Sequence, residues 1–474
     1  MKIEQIYTGC LSQGAYYIES EGEVAVIDPL REVNPYMERA AKAGAKIKYV
    51  FETHFHADFV SGHLDLSKKT GAPIVYGPNA KTGFEAHIAT DGELFSLGKV
   101  TIKVLHTPGH TLESACYLLL DENGKEKALF SGDTLFIGDV GRPDLAQKSD
   151  LTMDDLAGFL YDSLRHKIMT LPDDVIVYPA HGAGSACGKN MSKETTDTLG
   201  NQKRFNYALR ADMSKEEFVK EVTAGLAAPP QYFPQNVQMN REGYESIDLV
   251  MKRAAQALPP AAFEAAANET GAVVLDTRGA QTFGKGFIPN SINIGLGGQF
   301  APWVGALIPD IKQELLLVTE QGQENETILR LARVGYDNVI GYLEGGFEAW
   351  RESGNEVDEI SSVSADELAD RLAENQALAV IDVRKPGEFE AEHVDGAKNL
   401  PLDNINELMA EFPKNQTLYI HCAGGYRSMM AASILKSRGY DHLVDIDGGF
   451  SAIQKSGRFK TTDFVCPTTL KKTE

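Results

Sequence analysis

The 474-residue sequence holds no Cys-x-x-Cys pair, no uninterrupted apolar run of the roughly 18 residues a membrane span requires, and no surplus of positive charge. Its five cysteines, Cys10, Cys116, Cys187, Cys422 and Cys466, are odd in number and scattered, which excludes a disulfide frame and a zinc ribbon and leaves reduced thiols. A cysteine that matters in such a chain acts singly, as a nucleophile. The opening MKIEQIYTGC lacks an apolar stretch of signal-peptide length, so the expectation is a soluble, cytoplasmic protein with no membrane partner. A formal net charge of -21 excludes a polyanion-binding surface and with it nucleic acid as a partner. An anionic substrate must therefore find a local cationic pocket.

What is there is ordinary globular material, 43% hydrophobic and 24% charged, in a chain too long for one core. At roughly 100 to 200 residues per domain, about three domains are expected. The first half alternates β-rich runs with Gly, Pro and Asp turns: AYYIES, EVAVIDP, IKYVFETH, PIVYG, VTIKVLHTPGH, ACYLLL, KALFSGD and DVIVYPAHG. Several of these runs end in a loop carrying His or Asp. Between them, NPYMERAAKAGA and SDLTMDDLAGFLYDSLRHKIMTL have apolar residues at helical spacing, so helices cover the sheets. Residues 203 to about 222 read as one charged helix, which the Pro-rich AAPPQYFPQN breaks. With a short helix over YESIDLVMKRAAQA and a second proline pair at Pro259 and Pro260, this marks a domain boundary.

Beyond it the chain repeats itself. AVVLDTRGAQTF (272 to 283) matches LAVIDVRKPGEF (378 to 389), both with Asp-x-Arg closing a buried strand, and YLEGGFEAW (342 to 350) matches DIDGGFSAI (445 to 453). Two copies of one α/β unit of about 100 residues stand in tandem, each alternating strand and helix as a parallel sheet requires.

Four polar clusters in the first half have the residue types and loop positions of metal ligands: His54, His56 and Asp58 in THFHAD, His110 in HTPGHT, Asp133 in FSGDTLF and His181 in YPAHG. On an extended strand end, residues i, i+2 and i+4 project to one side, so His54, His56 and Asp58 are expected to face one centre, with Phe59 pointing out of the row. These four motifs, in this order, resemble the metallo-β-lactamase superfamily, and the resemblance covers residues 1 to 245. It implies an αββα sandwich. Within the superfamily two activities compete: a thioester hydrolase of the glyoxalase II type with two metals, and a persulfide dioxygenase with a single Fe(II). A second metal would call on Asp58, a histidine at position 59 and His181, but position 59 is phenylalanine. The dioxygenase resemblance implies His54, His110 and Asp133 as ligands of one Fe(II) per chain, which purification can replace with zinc. Two histidines and a carboxylate on one face leave about three coordination positions open for persulfide and O2. In that reading His56, Asp58 and His181 orient the ligands and bound water. Arg142 and Lys189, in loops just beyond Asp133 and His181, are candidate contacts to an anionic group on the thiol carrier. Cys187 is either a persulfide acceptor or a small buried thiol.

In the last repeat, TLYIHCAGGYRSMMAASIL sets Cys422 between an apolar strand and an apolar helix. Gly424 and Gly425 let backbone amides turn inward, and these, the helix start and Arg427 would cradle a sulfur anion on Cys422. The loop, with Asp382-x-Arg384 upstream and Gly-Gly-Phe downstream, resembles the rhodanese sulfurtransferases over residues 360 to 460, and the first copy resembles them over 258 to 355. There Thr319 stands for Cys422 and Glu324 for Arg427, which predicts a catalytically silent copy serving as spacer or docking face. The whole resembles persulfide dioxygenase-rhodanese fusions of sulfide detoxification. Expected partners are a low-molecular-weight persulfide, O2, sulfite and thiosulfate, and a homo-oligomer is compatible. The rivals are the binuclear hydrolase with a rhodanese passenger, and a sulfur carrier or sensor in which neither site turns over.

Overall fold

The computed structural model describes residues 1–146, 151–226, 228–375 and 377–465. The chain divides into one compact unit of Met1–Val250 with Leu331–Gly335, and another of Met251–Arg330 with Tyr336–Glu474.

The first unit is built on two six-stranded sheets. One runs β1 (Lys2–Thr8), β2 (Gln13–Ser20), β3 (Glu23–Ile27), β4 (Lys46–Phe51), β5 (Ile74–Tyr76), β6 (His87–Ile88). The other comprises β7 (Leu94–Leu97), β8 (Val100–His106), β9 (Ala115–Leu120), β10 (Glu126–Gly132), β11 (Ile176–Pro179) and β12 (Asp197–Thr198), in reverse order across the sheet. Strand alternation sorts the side chains into layers. From β9, Tyr117 and Leu119 join Tyr16, Ile27, Phe51 and Phe130 in the core shared by the two sheets. Its alternate residues Cys116 and Leu118 turn to the other face, where Leu160 of helix Met153–Ser163 and Leu164 at its C-cap pack. On the outside of the first sheet, Tyr17, Val24 and Val26 meet Tyr36 and Ala40 of helix Asn34–Ala43. This is the αββα sandwich expected.

Local details differ from expectation where side chains cap the backbone. Residues 203 to 222 form two helices, Leu199–Phe205 and Lys215–Thr223, with a short 3-10 turn at Tyr207–Leu209. Asn206 accepts from the Ala208 N–H and ends the first helix, while Ser214 and Glu217 form a reciprocal cap that starts the second. The Pro-rich stretch is also not all loop. Pro234 sits in the first turn of helix Phe233–Glu242, where its missing N–H costs nothing. The strands β1, β6, β7 and β12 have no counterpart among the sequence runs quoted above.

The second unit contains two five-stranded parallel sheets. One holds β13 (Ala257–Leu258), β14 (Val273–Asp276), β15 (Ile292–Asn293), β16 (Leu315–Val318) and β17 (Val339–Leu343), in the order β13-β17-β16-β14-β15. The other holds β18 (Ser361–Val363), β19 (Ala379–Asp382), β20 (Lys398–Asn399), β21 (Leu418–His421) and β22 (Leu443–Ile446), in the corresponding order β18-β22-β21-β19-β20. Identical strand order and direction in the two sheets show that the sequence repeat is a repeat of fold. No described helix is long and apolar enough to cross a membrane.

Candidate functional site

In the first unit the metal-type residues lie on loops that leave the strands at one end of the sandwich. His54, His56 and Asp58 follow β4, His110 follows β8, Asp133 follows β10 and His181 follows β11. All are buried.

The hydrogen bonds assign the imidazole tautomers. Asp28 accepts from the Thr53 N–H (2.8 Å) and from the Thr53 hydroxyl (2.9 Å). With its proton given to Asp28, Thr53 Oγ1 accepts from His54 Nδ1 at 3.0 Å, which leaves the His54 Nε2 lone pair free. His110 Nδ1 donates to the carbonyl oxygen of Arg142 at 2.8 Å and likewise frees its Nε2. Asp133 Oδ1 accepts from His181 Nδ1 at 2.7 Å, while its Oδ2 is buried with no hydrogen-bond partner. That oxygen lies 3.4 Å from His110 Nε2 and 3.7 Å from His54 Nε2. Three lone pairs thus converge, all within 4.8 Å of one another, a donor set that fits one metal ion. Burial, and then the neighbouring charges of His56 and His110, hold the His54 imidazole well below its ordinary pKa, the neutral form a ligand needs. Burial pushes the Asp133 carboxyl up, but the charge of His181 overrides it and holds Asp133 below the usual carboxylate range.

The expectation that His54, His56 and Asp58 share one centre fails. Their segment is a loop rather than an extended strand end, so alternation does not apply, and the three side chains enter three different groups. His56 turns to Asp28, 3.1 Å from its Oδ1, and to Glu52, 3.6 Å from its Oε2. Phe59 does not point away but is fully buried, its ring 4.4 Å from that of His56. Asp58 joins His181 and Cys187. His181 Nε2 is 2.8 Å from Asp58 Oδ2, so the ring spans two carboxylates, and their charges raise its pKa well above the ordinary value against the effect of burial.

Arg142, expected as a substrate contact, is held in the protein. Its guanidinium binds Asp144 through Nε (2.6 Å) and Nη2 (2.7 Å), and Nη1 reaches the Ala186 carbonyl. Its service to the site is through its carbonyl on His110. The Lys189 ammonium donates to the carbonyls of Glu221 and Ala224, at the end of helix Lys215–Thr223. Cys187 is buried, and burial first, then Asp58 and Asp133, push its thiol pKa well up. Cys466 lies outside the described residues.

Several residues here were invisible to motif reading. Asn240, on helix Phe233–Glu242, donates to the carbonyls of His56 and Phe59, both at 2.8 Å, and accepts from the Ser61 N–H, clamping the loop. Gly141 is required by space, since a Cβ there would stand 1.9 Å from the Asp133 carbonyl oxygen and 3.0 Å from His110 Nδ1. Asp28 carried a signal, an acid closing the buried run EVAVIDP.

In the second unit Cys422 is buried in the loop between β21 and helix Tyr426–Ser437, and the Gly425 N–H points at its sulfur from 3.1 Å. Gly425 has φ +95, which only glycine adopts readily. Arg427, expected to face the sulfur, instead meets the Glu388 carboxylate with both terminal nitrogens, at 2.6 and 2.8 Å. The Asp-x-Arg pairs are structural in both repeats. Arg278 binds Asp276 and stacks 4.1 Å over Phe347, and Arg384 binds Asp382 and stacks 3.9 Å over Phe450.

Residues 8–181 match the family model of the metallo-beta-lactamase superfamily, and residues 259–353 and 364–456 each match that of the rhodanese-like domain. The human mitochondrial persulfide dioxygenase ETHE1 is 32% identical over 200 residues, 42% of this chain and 70% of that protein. The probable hydroxyacylglutathione hydrolase glo2 of Schizosaccharomyces pombe is 34% identical over 160 residues, 33% of this chain, which spans only 58% of that relative. A crystal structure of a metallo-beta-lactamase from Staphylococcus aureus shares 31% identity with a TM-score of 0.66, covering 72% of this chain and 99% of that one.

Proposed function

The chain belongs to the metallo-β-lactamase superfamily and carries two rhodanese-like domains in tandem, and from that premise we propose that it oxidises a low-molecular-weight persulfide at a single Fe(II) and transfers sulfane sulfur at Cys422. The observation that carries this reading is the division of the histidines. His54, His110 and Asp133 offer three free lone pairs to one point, while His56 is turned away onto Asp28 and Glu52. Two histidines and one carboxylate on one face are the donor set of non-haem iron oxygenases. Bound Fe(II) supplies the redox chemistry that couples the persulfide sulfur to O2.

The protein's own part is orientation. Thr53 and the Arg142 carbonyl fix the two imidazoles, and His181 takes up Asp133 Oδ1, so that Asp133 has Oδ2 alone to give a metal. The Phe59 ring packs 4.4 Å from that of His56, so position 59 offers an apolar ring and no donor atom. The balanced reaction is RSSH + O2 + H2O giving RSH, sulfite and two protons. At the second site the Cys422 thiolate attacks the outer sulfur of a persulfide, the S–S bond breaks and the carrier leaves as thiolate. Sulfite then attacks the outer sulfur on Cys422, forming thiosulfate and restoring the thiolate. The Gly425 N–H supports this role by solvating sulfur anion.

A second reading has an observation in its favour. Asp58, His181 and Cys187 place ligand atoms within 4.8 Å of one another, and Asp58 Oδ1 has no hydrogen-bond partner, so a binuclear hydrolase could seat a second metal there. Metal analysis of anaerobically purified protein and O2 uptake with glutathione persulfide separate the two. One iron per chain with O2 consumption is the expected outcome, and two zincs with no uptake refute it. Steady-state thiosulfate formation should vanish in Cys422→Ser, and its persistence would sink the second half of the proposal.

A further inference from the structure

The duplication inside the second unit supplies its own control. Both repeats keep the Asp-x-Arg clamp, the ring beneath the arginine and the Gly-Gly turn after β17 and β22, so these features serve the fold. Features present only in the repeat that bears a cysteine are the candidates to serve it. Among the positions that differ are three at the cysteine loop: Cys422 aligns with Thr319, Arg427 with Glu324, and Glu388 with Thr282. In the first repeat Glu324 folds back to accept from the Gly322 N–H at 3.1 Å. The ion pair of Glu388 and Arg427 thus comes and goes with the thiol, both members at once.

We propose that Glu388 is a positioning residue of the Cys422 site, holding the Arg427 guanidinium beside the loop to receive the anionic group of a sulfur donor. This rests on the sulfur-transfer reading of Cys422. An arginine side chain is long and has many rotamers, and a bidentate carboxylate removes that freedom. The pair is well placed to do so, since the Arg427 side chain is 15% exposed and that of Glu388 37%. Two of the five guanidinium N–H donors are used by Glu388, which leaves three for a ligand.

Glu388 also has a simpler role. It accepts from the Lys385 N–H at 3.2 Å and so caps helix Pro386–Ala391. Glutamine caps a helix equally well, so Glu388→Gln isolates the ion pair from the cap. The sign of the effect is also diagnostic. Loss of a negative charge beside an anion site would by itself tighten anion binding, whereas loss of a holder for Arg427 weakens it.

The experiment measures sulfur transfer from thiosulfate to cyanide by the full-length protein. The Cys422 thiolate takes the outer sulfur as sulfite leaves, and cyanide removes that sulfur as thiocyanate. Glu388→Gln should raise the KM for thiosulfate about tenfold with kcat within about threefold, the loss of one charge-assisted contact. Glu388→Asp, which keeps the charge, should recover most of that loss, and thermal unfolding of Glu388→Gln should match the parent. An unchanged or lowered KM in Glu388→Gln overturns the proposal, as does an aspartate variant no better than the glutamine one. Cys422→Ser separates the two levels. Residual transfer there overturns the sulfur-transfer reading and this inference with it. Its loss there beside parent-like kinetics in Glu388→Gln overturns only the role of Glu388.

Discussion

Substituting Phe59 with histidine puts the one-metal argument at risk most directly. The phenyl ring is fully buried and lies 4.4 Å from the ring of His56, tilted by 36°. Full burial of such a side chain contributes roughly 1.5–3 kcal/mol. A neutral imidazole in the same volume gives up part of that and buries polar nitrogens, at about 1–3 kcal/mol for each left unpaired. The metal-free Phe59→His protein should therefore unfold with the first unit about 2–4 kcal/mol less stable than the parent. Metal should then restore stability. By the resemblance, a histidine at position 59 would join Asp58 and His181 in a second site, and a ligand at about 1,000 times its Kd stabilises by about 4 kcal/mol. Denaturant unfolding with and without metal, alongside metal counting by elemental analysis, reads both quantities. The expected result is a rise from one towards two metals per chain, an unfolding midpoint restored by metal, and a fall in persulfide-dependent O2 uptake. A variant that still holds one metal per chain in excess metal would refute the reasoning that Phe59 is what excludes the second.

Two further outcomes are expected. Arg142→Ala removes the Asp144 pair that holds the loop whose carbonyl fixes His110, so metal affinity should fall about tenfold in metal competition while the KM of the metal-loaded protein for its substrate changes little. Asp445 tests linkage in the second unit. Burial first raises its pKa, to about 6, from an ordinary 3.8. Its folded-state pKa lies above the unfolded one, so its contribution is fully present below about pH 4 and is lost as pH rises through about 6. Between those limits the parent should lose about 2–3 kcal/mol relative to Asp445→Asn, measured by denaturant unfolding across the pH range.

Most of the architecture was legible because it is local. Period-two apolar runs named the principal strands, and the matched Asp-x-Arg and Gly-Gly-Phe segments named the tandem repeat, since the same sequence pattern meets the same steric and packing demands twice. The elements missed were short or polar, as β6 and β12 are, or were decided by a single capping side chain, as at Asn206 and Ser214. At the site, residue types and loop positions were enough to nominate His54, His56, Asp58, His110, Asp133 and His181 as candidate ligands, and the resemblance singled out His54, His110 and Asp133 among them. They were not enough to orient His56, because an imidazole goes to whichever partners the fold supplies, and Asp28 and Glu52 come from the ends of β3 and β4.

What the sequence by itself determined is the inventory: an αββα unit, two parallel-sheet repeats, one repeat without its cysteine, and a loop in which phenylalanine stands where another metal ligand could. What only the tertiary structure decided is who pairs with whom. Arg142 goes to Asp144, Lys189 to a helix end, Arg427 to Glu388, and Asn240 clamps a loop some 180 residues before it. The reason is physical. Chemical type is a property of one residue, whereas the direction of a lone pair, and which charge is already neutralised, depend on neighbours that only the folded chain brings within 3 Å.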